Sequence, residues 1–223
     1  MQVSVSRPRI DVTAIYMSWR QGPRGYHHGN LKEALVEAAL KLIGEKGVMG
    51  FTFVEAAREA GVSPAAPYRH YKDREQLLAD VARRGFEVFA ATLAKAWNGG
   101  KPNPVEALEQ IGRAYLTFAR SEPAYYAAMF EAGVPADASP ELREAADRAF
   151  GVLRQAAELV VGSVDSKKPP AMMVALHMWS LAHGIASLFA RPDEGRRKLP
   201  MPPGDLLEAG MLVYLDGLGI RRS

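Results

Sequence analysis

The chain has 223 residues, 48% hydrophobic and 24% charged, an ordinary composition for a soluble globular protein of one large or two small domains. It has no cysteine, which excludes disulfides, thiolate nucleophiles and cysteine-ligated zinc and favours a reducing cytoplasm. The net charge of +3 comes from residues 1–75, which carry 11 Lys and Arg against 8 Asp and Glu, whereas the remainder is neutral.

The first 29 residues are interpreted as a flexible basic arm, because they mix Arg, Pro, Gly and Ser without periodicity. Met17 is an alternative start residue of the chain. A chain that began there would keep the basic residues nearest the first predicted helix. The arm has no long apolar run ahead of a small-residue cleavage site. We therefore expect no secretory signal and a cytoplasmic location.

Four helix starts between residues 30 and 76 predict a compact helical unit. Each start is a capping residue with its partner, or a serine before a proline at the first helical position: Asn30 with Glu33, Thr52 with Glu55, Ser63 with Pro64, and Asp73 with Gln76. Gly47 and Gly61 are expected to end the first two helices. The fourth helix is predicted to run to about Trp97.

Helical periodicity continues to the end of the chain, and no strand pattern is found. Helices are predicted at 104–121, 123–132, 140–164, 169–190 and 204–218. We expect an all-α protein with three parts: the arm at 1–29, a compact helical domain at 30–76, and a C-terminal helical domain at 77–223.

The segment FTFVEAAREAGVSPAAPYRHY, residues 51–71, has the layout of a helix-turn-helix, with Gly61 centring the turn. Its second helix would enter the major groove of DNA. Ala65, Ala66 and Arg69 are predicted to meet base edges, Arg69 by a bidentate bond to guanine. Phosphate oxygens suit the remaining polar residues of the surface, which are Thr52, Ser63, Tyr68, His70, Lys72 and Arg74. Tyr71 is predicted to pack inward, and Pro67 to shorten or tilt the helix.

The stretch from Asn30 to Leu78 resembles the N-terminal domain of the TetR family along its whole length. The matching landmarks are Gly47, Thr52, AGVS at 60–63 and YRHY at 68–71. Arg74 departs from the family pattern, in which a lysine is usual. The resemblance implies a three-helix DNA-binding domain that a long helix joins to a C-terminal helical domain for ligand binding and dimerisation.

The C-terminal part is rich in aromatic residues and methionine, which suit an apolar ligand cavity between helices. The candidate lining residues are Tyr115, Phe118, Tyr126, Phe130, Met173, Trp179 and His183. WSLAHG at 179–184 resembles the Trp-His-Gly signature of a TetR-like C-terminal domain. A buried His183 with a satisfied partner is the simpler explanation of that histidine. His177 and His183 lie about 120° apart around a helix, which argues against a shared metal, and no cofactor is expected.

The charge-free run from Ala171 to Ala190 is long enough to span a membrane. Small and polar residues recur along one face of it, so we interpret it instead as a helix packed within protein. Small-residue stripes on the last two helices predict close helix contacts: Ser180, Gly184, Ser187, Leu207, Gly210, Met211 and Tyr214. The resemblance implies that these two helices form a four-helix interface in a homodimer that reads palindromic double-stranded DNA.

The first functional hypothesis is a repressor released from its operator by an unknown small-molecule inducer. The alternative is a DNA-binding regulator that activates or needs no ligand. A helical enzyme is a remote third, because the sequence has no GxSxG, Walker, GxGxxG or HExxH pattern.

Overall fold

The computed structural model describes residues 31–162, 169–190 and 200–220, which contain eight α-helices and no strand. The helices are α1 (Leu31–Lys46), α2 (Phe53–Glu59), α3 (Arg74–Trp97), α4 (Pro104–Ser121), α5 (Pro123–Phe130), α6 (Pro140–Gly162), α7 (Ala171–Ile185) and α8 (Pro203–Gly217). The predicted all-α class is confirmed. The arm at 1–29, with Met17, and the predicted cap Asn30 lie outside the described residues.

The predicted caps place the starts of α2 and α3. At α2, the Thr52 hydroxyl accepts a bond from the Glu55 N–H, and the Glu55 carboxylate accepts one from the Thr52 N–H. At α3, Asp73 accepts from the N–H of Gln76 at 2.8 Å. The Gln76 side chain accepts from the N–H of Lys72 rather than completing a reciprocal box. The sequence pattern was therefore correct about where both helices begin.

The second helix of the helix-turn-helix is shorter than its start signal predicts. A single 3-10 turn, Ala66–Arg69, replaces the expected α-helix. Pro67 has no N–H to donate to the Ser63 carbonyl, and that carbonyl accepts the Ala66 N–H at 3.0 Å instead. The Pro67 carbonyl then accepts from both His70 and Tyr71. The proline thus produces the shortening expected of it.

Helix α3 is the central element of the chain. It packs most extensively against α6 and also against α4 and α5. Its buried positions include Leu77, Val81, Phe89 and Leu93. The predicted domain boundary at residue 76 falls inside this continuous helix. The division at 76 therefore stays a prediction, which separates the residues expected to bind DNA from those expected to bind a ligand.

The predicted helix at 169–190 is α7 followed by a π-helical turn at Ala186–Ala190. Length and composition would let Ala171–Phe189 cross a membrane. In the structure, Val174, Met178 and Ala182 on one side of α7 are buried in the core shared with α4, α6 and α8. One side of this helix therefore packs in the protein interior.

Candidate functional site

The first candidate surface lies on the helix-turn-helix and carries basic side chains that have no partner among the described residues. Arg69, His70 and Lys72 are exposed, and within the described part of the chain their side chains make no ion pair or hydrogen bond. Tyr68 is 60% exposed, and its ring meets that of Phe53 edge to face at 5.2 Å. Free cations beside an exposed tyrosine can meet phosphate oxygens without breaking internal contacts.

The turn that precedes this surface presents small residues. Gly61 has a φ of 73°, in the left-handed region where a side chain is strained. Ser63 and Ala65 are exposed and Ala66 is half-buried. The predicted readout positions 65, 66 and 69 therefore lie on the same short segment, and the contacts proposed for them stay predictions.

The structure does not offer Thr52 as a free donor for phosphate. Both its N–H and its hydroxyl donate to the Glu55 carboxylate, at 2.7 and 2.9 Å. The hydrogen bond from Lys46 and those from Thr52 lower the pKa of Glu55 to about 2. This carboxylate stays ionised at neutral pH, so Thr52 serves as a helix cap and its assignment as a phosphate contact is corrected.

Arg74 is also corrected, because its guanidinium turns into the protein. It donates to the Val48 carbonyl, which the loop between α1 and α2 would otherwise leave unpaired, and it lies 4.6 Å from the centre of the Phe51 ring. Its Nε is buried and has no partner within the described residues. Arg74 therefore fastens the α1–α2 loop to the start of α3 and is not placed to reach DNA.

A buried polar cluster holds the end of the reading segment against α3. Tyr71 is 3% exposed, as predicted, and donates to Asp80 at 2.7 Å. Asp80 also accepts two bonds from Arg83, at 2.9 and 2.7 Å, and lies 3.5 Å from the Lys32 ammonium. Burial alone would raise the pKa of Asp80, but the bonds from Tyr71 and Arg83 outweigh it and lower the pKa. The charged carboxylate is thus the anchor of this junction.

The second candidate site is an apolar cavity of about 380 Å³ in the C-terminal part. Residues of α3, α4, α5, α6, α7 and α8 line it, and six of them are aromatic: Phe86, Phe89, Tyr115, Phe130, Phe150 and Trp179. A cavity of this size and character suits a small organic molecule.

Three of the seven predicted lining residues, Tyr115, Phe130 and Trp179, do line this cavity. The other four do not. Phe118 is buried with its ring centroid 4.9 Å from that of Phe89, and Met173 of α7 is not among the lining residues. Tyr126 and His183 sit in the aromatic cluster behind Tyr115, and their assignment to the lining is corrected with the other two.

Sequence reasoning missed the contributions of α3 and α6. Phe86, Phe89 and Leu93 of α3 line the cavity at helical spacing, a pattern that is visible in the sequence. Asp147 and Phe150 of α6 share a face one turn apart. Nothing in the sequence alone distinguishes a wall of a cavity from a packed face.

His183 has hydrogen-bonding partners inside the protein, as expected if it is a buried structural histidine. The Tyr115 hydroxyl lies 2.8 Å from its Nδ1, and the Tyr126 hydroxyl lies 3.3 Å away. Burial lowers the pKa of His183, while the charge of Glu131 acts weakly in the opposite direction. Neutral His183 can therefore accept the Tyr115 proton at neutral pH and fix the orientation of one cavity wall.

The predicted dimer residues divide into two groups. Ser180 is exposed, Ser187 is half-buried, and a Cβ added at Gly184 would meet no atom within 4 Å. Leu207 and Met211 are buried in the protomer, where both contact Gly112, so their assignment to a dimer interface is corrected.

Two further residues of that predicted set have partners within the same chain. A Cβ added at Gly210 would lie 3.0 Å from Leu181. The Tyr214 hydroxyl lies 2.8 Å from Nδ1 of His177. Gly210 thus brings α7 and α8 together within one protomer, and its assignment to the dimer interface is also corrected.

No group of three or more His, Asp or Glu within the described residues could hold a metal ion. His177 faces Tyr214, whereas His183 faces Tyr115. The two histidines therefore have different partners.

Two family models match the chain. Residues 35–81 match the model described as bacterial regulatory proteins, tetR family. Residues 108–212, which include the WSLAHG segment, match the model described as tetracyclin repressor-like, C-terminal domain.

Individual relatives agree with these matches. The HTH-type transcriptional regulator BetI of Rhizobium meliloti is 46% identical over 52 residues, which cover 23% of this chain and 26% of that protein. A protein of unknown function from Rhodococcus sp. RHA1 is 28% identical, with a TM-score of 0.73 over 87% of this chain and 98% of that one. AibR, solved in complex with isovaleryl coenzyme A and operator DNA, is 18% identical, with a TM-score of 0.61 over 82% of this chain and 97% of that one.

Proposed function

Since the chain belongs to the TetR family of bacterial regulatory proteins and carries that family's DNA-binding domain, we propose that it is a cytoplasmic, homodimeric repressor released from a palindromic operator by a small molecule. The observation that carries the proposal is the course of α3. Its first turns hold the reading segment through Asp80, and its later turns form a wall of the cavity through Phe86 and Phe89. One helix therefore belongs to both sites.

A ligand in the cavity acts on DNA through this helix. A bound molecule presses on Phe86 and Phe89, and a packed helix moves as a unit because close-packed interiors shift between discrete arrangements. Tyr71, which is bonded to Asp80 on the same helix, moves with it. In a dimer, such movements change the distance between the two reading segments, which must match half-sites about 34–36 Å apart.

A series of ion pairs runs along the surface of α3 and crosses to α6. Arg83 bonds Glu87 at 2.7 Å, and Glu87 lies 3.6 Å from Arg148, the residue of α6 next to Asp147 in the cavity lining. Glu87 and Arg148 are exposed and Arg83 is half-buried, so each pair contributes about 1 kcal/mol. The series of ion pairs therefore assists the helix and does not replace it.

Dimerisation through α7 and α8 is supported by the apolar surface of these helices. Val213 is 76% exposed, Leu188 in the π-helical turn that follows α7 is 60% exposed, and Met172 is also exposed. Exposed apolar residues grouped with small residues on neighbouring helices are typical of a surface that a protein covers. A second copy of the same face gives the symmetric contact that a palindrome requires.

The experiment that tests DNA recognition is selection of genomic fragments by the purified protein, sequenced after washes at two salt concentrations. We expect an enriched palindrome that survives the higher salt, because base contacts add to the salt-sensitive phosphate contacts. Weak binding to all fragments that disappears with salt would contradict the proposal.

Dimerisation is tested by the mass in solution of Val213→Asp and of the matched variant Leu159→Asp. Leu159 is 48% exposed on α6, which is not one of the two helices proposed for the interface. We expect a dimer for the wild type and for Leu159→Asp, and a monomer for Val213→Asp. A stable Val213→Asp dimer would remove this face from the interface.

A further inference from the structure

The C-terminal cavity has a charged mouth and an apolar floor. Asp147 and Trp179 are exposed and line its entrance. Leu108, Ile111 and Phe89 are buried and line its interior. A ligand that fits this arrangement places an apolar body inside and a polar end at the entrance.

The charge at the mouth is negative. Within the described residues, Asp147 is the one charged side chain in the lining, and no Lys, Arg or His lines the cavity. Asp147 makes no hydrogen bond or ion pair with any described residue. The neighbouring cation Arg148 is already paired with Glu144 at 2.7 Å. The carboxylate is thus available to a cation that enters from outside.

Aromatic rings lie close to this carboxylate. Phe150 follows Asp147 by one helical turn on the same face of α6. Its ring meets that of Trp179 edge to face, with centroids 6.0 Å apart. Aromatic faces attract cations, and they attract quaternary ammonium groups in particular. An anionic group at the same place would be repelled by Asp147 and would lose water without gaining a basic partner.

We propose that the cavity binds apolar organic cations, with the positive group beside Asp147 and Trp179 and the apolar body against Leu108 and Ile111. This inference rests on the proposed function and adds the charge class of the ligand. It separates this chain from AibR, which was solved with isovaleryl coenzyme A, a ligand with negatively charged phosphates.

The test compares three probes with one decyl chain and different charges, decyltrimethylammonium, decanol and decanoate. The two ions are used below their micelle concentrations and decanol below its solubility limit. Binding to the full chain is measured by calorimetry. We expect the cation to bind about tenfold more tightly than the alcohol, and decanoate to bind more weakly than either. Equal or tighter binding of decanoate, or binding of none of the three, would overturn the proposal.

Asp147→Asn is the diagnostic variant, and Glu158→Gln is its control on the same helix. Glu158 is exposed, lies outside the cavity lining and makes a long ion pair with Arg154 at 4.0 Å. We expect Asp147→Asn to reduce the preference for the cation by about fivefold, the limit for an exposed ion pair, while decanol binding is unchanged. The control keeps the preference. A preference that persists in Asp147→Asn would overturn the role of this carboxylate.

Failure of this inference differs from failure of the proposed function. If decanol or decanoate binds best and releases operator DNA, the ligand-controlled repressor stands and the cation preference is wrong. If the cation binds through Asp147 and DNA affinity does not change, the cation preference stands and control by this cavity is wrong.

Discussion

The DNA-reading unit and the C-terminal cavity are built from opposite kinds of interaction. In the reading unit, short polar contacts hold each element: Thr52 and Asp73 cap helices, and Asp80 holds Tyr71. The cavity is formed by apolar and aromatic side chains from six helices, with Asp147 as the charged side chain of its described lining. Directional bonds suit a surface whose geometry must match DNA, whereas an apolar cavity adapts to its occupant.

The most damaging change expected in the reading unit is Asp80→Ala. It leaves Arg83 and the Tyr71 hydroxyl without their buried partner, which costs about 3 kcal/mol of unfolding free energy. The measurement is urea unfolding of the variant beside Glu87→Ala, which removes an exposed partner of the same arginine and costs at most about 1 kcal/mol. Equal losses in the two variants would contradict the view that buried polar contacts hold this unit.

Arg74→Ala distinguishes a structural cation from a DNA-binding one. Loss of the bond to Val48 and of the contact with Phe51 should lower the unfolding free energy by about 2 kcal/mol, with no change in the salt dependence of DNA binding. Lys72→Ala should do the reverse and reduce the salt slope by about 1. A stable Arg74→Ala protein with a reduced slope would return Arg74 to the DNA surface.

Arg69→Ala tests base recognition on the exposed surface. We expect specific DNA affinity to fall by about 1–3 kcal/mol and one base position to lose its preference, because a bidentate contact to guanine is lost. Binding curves on the selected palindrome and its single-base variants measure both effects. Lys95→Ala, an exposed lysine in the last turn of α3, is the control. An unchanged preference would remove Arg69 from the readout residues.

The smallest expected effect is a pH dependence from His183 beside the cavity. Because burial lowers its folded-state pKa below the ordinary value of 6.5, the unfolded chain takes up the proton first as the pH falls. The stability that neutral His183 contributes is therefore fully present above a pH of 6.5 and is lost as the pH falls below this value. Unfolding of the wild type and of His183→Gln between about pH 8 and about pH 5 measures the difference. The same pH profile in both proteins would contradict this origin.

The reading unit could be predicted closely from the sequence because its signals are local. Caps, glycine stops and the proline effect each act within one helical turn, so Thr52, Asp73 and Pro67 could be read correctly without tertiary structure. Arg74 could not, because its partners Val48 and Phe51 are distant in the sequence. An arginine at this position suggested a phosphate contact, whereas in the fold the Arg74 guanidinium contacts Val48 and Phe51.

The apolar character of the cavity could be predicted from the sequence, but most of its lining residues could not. Aromatic and methionine enrichment indicated an apolar pocket, and Tyr115, Phe130 and Trp179 are in its lining. Whether a buried ring faces a cavity or a neighbour depends on how helices distant in sequence meet. Phe118 and Phe89 illustrate this, since they touch each other while only Phe89 lines the cavity.

The most direct test of the link between the two regions is reciprocal titration on the selected operator. DNA affinity is measured with and without saturating decyltrimethylammonium, and affinity for this cation is measured with and without DNA. We expect both affinities to fall by the same factor, between about 5-fold and 150-fold, because linkage between two sites is mutual. A cation that binds at Asp147 and leaves DNA affinity unchanged would contradict control of the reading surface by the cavity.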